Sequence, residues 1–143
     1  EVPIAFQLLV YPMLDDRTVT RSDHDDGPCR MWTATSNRFG WSAYLGGEPG
    51  VDGVDQHAAP ARREDLTGLP PTWIGVGTCD LFHDEDVAFA DRLADTGVRC
   101  ELHVTPGGYH GFDLLQAKAG VSRAFRASFV EALRAALVDD RPG

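Results

Sequence analysis

The sequence predicts an α/β fold in which parallel strands are joined by crossover helices, and three features carry the prediction. Residues 4–11 (IAFQLLVY) and 72–78 (TWIGVGT) are short, almost continuously apolar runs, the pattern of strands covered on both faces. Helical patterns fill the stretches between strands, as parallel pairing requires. The last segment, 121–138, sets Phe125, Phe129, Ala132, Leu133, Ala136 and Leu137 on one side of a helix.

Taken in order, the first strand stops at Pro12, and 13–30 is rich in Asp, Arg, Thr, Ser and Gly, a loop composition. Within it, DHDDG at 23–27 matches no EF-hand ligand spacing and reads as an exposed acidic turn. Residues 31–45 predict a helix with Trp32, Thr35, Phe39, Trp41, Tyr44 and Leu45 inward, weakened by Gly40 and stopped by Gly46 and Gly47. Aromatic residues at this spacing are packing groups first; Phe39 and Trp41 are also candidates for a substrate pocket. A long Gly/Pro-punctuated connection follows, with one short turn expected at 63–66. The second strand, bounded by Pro70 and Pro71, leads to DEDVAFADRLAD, whose three leading acids suit a helix N-terminus. Val87, Phe89, Ala90, Leu93 and Ala94 form its apolar face, and Gly97 ends it. Residues 98–104 alternate, with Val98, Cys100, Leu102 and Val104 on one face and Arg99, Glu101 and His103 on the other, which predicts a half-buried strand near a sheet edge.

The 143 residues suit one domain, and 43% hydrophobic with 24% charged residues is ordinary globular composition. A net charge of −9 with scattered basic residues argues against nucleic acid or an anionic membrane as partner. No apolar run approaches the ~20 residues that span a bilayer. Cys29, Cys79 and Cys100 form no C-x-x-C pair and read as reduced, mostly buried thiols. Reduced thiols suit a reducing compartment, and cytoplasmic is the expected location; no signal peptide is visible, which says little because the chain begins at Glu1 and runs within a few residues into a strand, as the middle of a fold would.

In an open α/β sheet, functional side chains collect beyond the C-terminal strand ends. Asp80 follows the second strand and His110 the third, 30 positions later, the length of one helix and one strand. Two loops at one sheet edge thus bring a carboxylate to an imidazole. A carboxylate on one ring nitrogen fixes the tautomer and stabilises the imidazolium formed when the other nitrogen takes a proton. Gly107, Gly108 and Gly111 permit a tight loop presenting the ring. Alone, Asp80 reads equally as a helix cap and His110 as a turn residue. Asp84 and Glu85 are rival acids whose place in a first helical turn suggests capping and loop support. His24, His57, His83 and His103 read as surface or turn residues, and HDED at 83–86 is not a zinc-protease motif.

The stretch GLPPTWIGVGTCDLFHDEDVAFADRLADTGVRCELHVTPGGYHGF resembles the C-terminal triad region of hormone-sensitive-lipase-like esterases of the α/β-hydrolase superfamily. That family shows Gly-Leu-Pro-Pro before the strand, Asp-Pro-Leu-x-Asp-Glu after it and His-Gly-Phe after the last strand. The chain keeps Asp80, Asp84, Glu85, His110, Gly111 and Phe112, with Leu81 and Phe82 in place of the usual Pro and Leu. The likeness extends more loosely to LLVYPMLDD and MWTATSNRFGWSAYLGG. It implies the C-terminal part of an α/β-hydrolase fold, a single domain segment over 1–143 lacking its N-terminal half, with Asp80 and His110 as two members of a Ser-His-Asp triad. It implies an ester as small-molecule substrate, no metal or organic cofactor, and a homodimer edge at 98–104 and the final helix, surfaces that read equally as ordinary solvent-exposed faces.

Neither the G-x-S-x-G nucleophile turn nor an H-G-G-G oxyanion loop occurs. The nearest imitation, Gly40-Trp41-Ser42-Ala43-Tyr44, lies in helix-like sequence and lacks the second glycine, so Ser42 is a poor nucleophile candidate. The resemblance puts the serine upstream of Glu1 and implies that this segment alone is inactive. Two other readings stay open: a non-catalytic binding module on a hydrolase scaffold, and another α/β-hydrolase activity such as a peptidase or lactonase.

Overall fold

A computed structural model describes residues 3–21 and 29–139; the acidic turn at 23–27 and His24 fall outside the described residues. Strands β1 (Gln7–Val10), β2 (Thr72–Gly77) and β3 (Cys100–Thr105) form one parallel sheet in the order β1-β2-β3. Gln7 pairs with Thr72, and Thr72 with Cys100. The β1–β2 connection carries helix α1 (Ala34–Leu45) and 3₁₀ turns at Asp16–Thr20 and Pro60–Arg62. Helix α2 (His83–Asp95) is the β2–β3 crossover, and α3 (Phe112–Leu115) and α4 (Gly120–Asp139) follow β3.

Every residue of β2 is buried, and its alternation splits the core in two. Ile74 packs with Leu14, Leu66, Phe89, Ala90, Leu93 and Val98 on the α2 side. Trp73 packs with Phe112 and Phe125 on the α4 side, joined by Leu8, Val10, Tyr11 and Phe129. A Cβ on Gly75 would run into the Trp73 indole and the Phe125 ring. A strand glycine costs roughly 0.5–1 kcal/mol against alanine, and here it makes room for that aromatic layer.

The first strand is shorter and less covered than its apolar run predicts. All four β1 residues are partly exposed, and among the described residues β1 is an edge with β2 on one side only. The half-buried edge character of β3 is as expected, but His103 is not a surface residue: its ring packs on Trp73 and Phe125, and Nδ1 lies 3.2 Å from Ser128 Oγ of α4.

Helix α1 begins three residues later than predicted because Thr33 caps it, its side chain accepting from the Ser36 N–H. Its inward face also differs. Phe39 is 75% exposed and Thr35 and Tyr44 are exposed, whereas Asn37 and Trp41, one turn apart, are buried. The expected turn at 63–66 lies at Pro60–Arg62, where Arg62 clamps buried Asp16 through bonds of 2.6 and 2.9 Å. Burial alone would raise the Asp16 carboxyl, but the Arg62 fork and the Gly50 N–H hold it below its ordinary value.

Phe89, Ala90 and Leu93 of α2 are buried as predicted, while Ala94 is exposed. Phe125 anchors α4, but Leu133 and Leu137 are exposed, because no element among the described residues covers that end of the stripe. The three cysteines are thiols, each half-buried. No helix among the described residues is long and apolar enough to cross a membrane.

Candidate active site

Asp80 and His110 meet at the C-terminal edge of the sheet. Three bonds sew the loop after β2 to the loop after β3: Thr78 N to Thr105 O (3.0 Å), Cys79 N to Gly108 O (2.8 Å) and Gly107 N to Thr78 Oγ1 (2.9 Å). Gly77 allows this approach, since a Cβ there would collide with the Gly108 carbonyl. Gly107 (φ 71°) and Gly111 (φ 72°) take the left-handed turns that bend the chain around His110 into α3.

Within this frame His110 Nδ1 lies 3.1 Å from Asp80 Oδ2 and 3.4 Å from Oδ1. The Asp80 side chain is fully buried and that of His110 is 22% exposed. Asp80 Oδ1 also accepts the Phe82 N–H at 3.1 Å, so the acid is held from its own loop as well. A carboxylate at this distance favours the imidazole tautomer with its proton on Nδ1. Nε2 has no hydrogen-bond partner among the described residues.

Aromatic groups enclose the ring. Tyr11 lies 4.6 Å from it between centroids, Phe82 5.5 Å away edge-on and Trp32 5.7 Å away. A Cβ on Gly40 would stand 3.2 Å from the Trp32 indole, which explains a glycine inside α1. Trp32 Nε1 also points at Asn37 Oδ1, 3.5 Å away. The pocket candidates Phe39 and Trp41 are not at this site's wall: Phe39 faces outward, and Trp41 is completely buried against Tyr44. Tyr11 and Trp32 are aromatic residues beside His110 that sequence reasoning missed. Tyr11 read as one more strand residue, and Trp32 as part of a helix that begins only after it.

The rival acids have other partners. Asp84 pairs with Arg21 (2.9 Å) and His83 (2.8 Å) at the surface. Glu85 is buried and accepts the Leu14 and Asp15 N–H groups at 2.7 and 3.1 Å, with the Thr18 hydroxyl, so it ties α2 to the loop after β1. Burial pushes its carboxyl up to about 7 against these bonds. Asp86 beside it is also buried, with neither oxygen bonded; burial, then the charges of Glu85 and Asp80, push it up to about 10. His57 is exposed and pairs with Asp55. Ser42 lies within α1, and no described serine hydroxyl bonds His110. Among the described residues no group of three or more His, Cys, Asp or Glu is arranged to hold a metal ion.

A parallel sheet with helices between its strands, and an acid and a histidine joined across the loops at its C-terminal edge, define an α/β-hydrolase arrangement. A family model described as alpha/beta hydrolase fold matches residues 1–114, and the chain belongs to this family, in its hormone-sensitive-lipase-like group. Among solved structures it is similar to a bacterial heroin esterase (38% identity, TM-score 0.84, 96% of this chain and 44% of that one). It is also similar to the esterase LipW from Mycobacterium marinum (34%, TM-score 0.82, 95% and 42%). Esterase LipI of Mycobacterium tuberculosis is 32% identical over 112 residues, 77% of this chain and 34% of that protein. The chain spans about a third of the length of the curated relatives it matches.

Proposed function

We propose that this chain supplies the acid and the base of a serine carboxylic-ester hydrolase acting on short to medium acyl esters. The observation that carries the reading is the 3.1 Å contact of buried Asp80 with His110 Nδ1, which leaves Nε2 as the proton acceptor. The esterases named above, which share the fold at 32–38% identity, support the choice of ester over other acyl substrates.

In this reading the nucleophilic serine and the oxyanion donors come from sequence outside these 143 residues. His110 Nε2 takes the serine proton as the oxygen attacks the ester carbonyl, and Asp80 stabilises the imidazolium. The imidazolium then protonates the departing alcohol, and a second cycle with water releases the acid. Trp32 and Phe82 beside the ring exclude water and favour apolar groups on the substrate.

The test completes the chain with a serine-bearing half, as in a chimera with the heroin esterase, and measures hydrolysis of p-nitrophenyl butyrate. Asp80→Asn should lower kcat by about 10⁴, the loss when the orienting acid of such a triad is neutralised. His110→Ala should lower it by about 10⁶. Either variant retaining parental activity would overturn the assignment, and so would hydrolysis by the 143-residue chain alone that Ser42→Ala abolishes.

A further inference from the structure

We infer that Tyr11, held by Asp113, is a positioning residue for His110, bracing the imidazole through its ring while Asp80 holds Nδ1. The inference deepens the site proposed above and rests on that reading of Asp80 and His110.

Tyr11 is the first residue past β1, and its N–H bonds Gly75 O at 2.7 Å, so it leaves the sheet beside the strand that leads to Asp80. There its backbone turns to φ 38°, in the left-handed region that bulky side chains avoid. Such a conformation costs of order 1–3 kcal/mol and persists only where the surroundings over-determine it. The surroundings here do so from both ends of the side chain. The ring meets His110 at 4.6 Å and 59°, and stacks on Phe125 at 6.3 Å. The hydroxyl donates to Asp113 Oδ1 at 2.9 Å, and Asp113 is buried three residues beyond His110, in the first turn of α3. Arg126 of α4 bonds the Asp113 carbonyl at 2.5 Å, which anchors that turn in place. Tyr11 therefore braces the loop that presents the base against the end of β1. Burial first, then the hydrogen bond and charge of Asp113 and the charge of Asp80, raise its phenol pKa, so it remains a neutral donor. Tyr11, Phe82 and Trp32 together restrict the imidazole's plane, so that the Nδ1–H stays aimed at Asp80.

The 143-residue chain contains every part of this device, so the test needs no serine. In ¹⁵N-labelled protein, NMR reads the His110 tautomer and the exchange of its Nδ1–H with water, at temperatures where circular dichroism shows each variant folded. Tyr11→Phe keeps the ring and loses the tie; Asp113→Ala loses the acceptor, and Asp113→Asn keeps it. Exchange should quicken roughly three- to tenfold in Tyr11→Phe and Asp113→Ala, the effect of one lost hydrogen bond, with loss of tautomer purity, while Asp113→Asn stays near the parent. Parental exchange and tautomer in both Tyr11→Phe and Asp113→Ala would overturn the inference, as would Asp113→Asn behaving like Asp113→Ala. If Tyr11→Phe does not fold, the two Asp113 variants decide alone. Asp80→Asn separates the levels: it should disrupt the Nδ1–H signal, and an unchanged signal there would instead remove the acid–base pair beneath the proposed function.

Discussion

At Gly77 the loop carrying Asp80 and the loop carrying His110 touch backbone to backbone. A methyl group there meets the Gly108 carbonyl and its carbon, which cannot swing aside as a side-chain end can. Gly77→Ala should therefore cost about 1–3 kcal/mol in urea unfolding, as overpacking does, and should also part Asp80 from His110. Gly120, whose added Cβ would meet nothing within 4 Å, is the control, and Gly120→Ala should stay within about 0.5 kcal/mol. Equal losses for both would show that the loops give way freely. The meeting of Asp80 and His110 was legible in sequence because one crossover returns the chain to the same sheet edge and the stretch around them resembles a known triad region. Tyr11 was not, because no residue type signals the positive φ it takes before a proline.

The first turn of α2 shows how far element-level reasoning reaches. Three acids suit a helix N-terminus, and Asp84 and Glu85 read as capping and loop support; Asp84 stays at the surface. Glu85 and Asp86 instead face inward, because the loop after β1 folds over the turn and leaves Glu85 to satisfy its N–H groups. The strands and helices were legible from periodicity, but which side of α1 and α2 is buried depends on loops whose paths have no period. The pH consequence has a definite sign. Both carboxyls have folded values raised above their unfolded ones, from 4.5 to about 7 for Glu85 and from 3.8 to about 10 for Asp86. The folded state then binds more protons, so their stabilising contribution is full below the unfolded values and is lost as pH rises through the folded ones. Melting temperature should fall from pH 5 to 9, with Glu85 contributing up to about pH 7 and Asp86 throughout. Asp86→Asn should flatten that slope, its advantage over the parent growing by up to about 1.4 kcal/mol per pH unit. An unchanged slope would mean that Asp86 is ionised and solvated in the folded chain.

At the scale of the whole molecule, two apolar features lack a neighbour among the described residues. One is the open edge of β1, with Ile4 64% exposed beside it. The other is the outer stripe of α4, where Val130, Leu133, Leu137 and Val138 are all exposed. Unpaired strand edges and contiguous apolar patches promote association, whereas a net charge of −9 opposes it over the range of the screening length. The balance should shift with ionic strength: the Debye length falls from about 30 Å at 0.01 M salt to about 8 Å at 0.15 M. The 143-residue chain is therefore expected to be largely monomeric in dilute buffer and to self-associate as salt is added, the reverse of an assembly held by ion pairs. Sedimentation velocity across a salt series measures this. Leu137→Glu, at an exposed position, should shift the association to higher salt while changing stability by less than about 0.5 kcal/mol. Ile4→Lys tests the β1 edge separately, placing a charge beside the open strand. A chain that stays monomeric at every salt concentration would show that these surfaces do not drive association, and dissociation on adding salt would assign it to ion pairs.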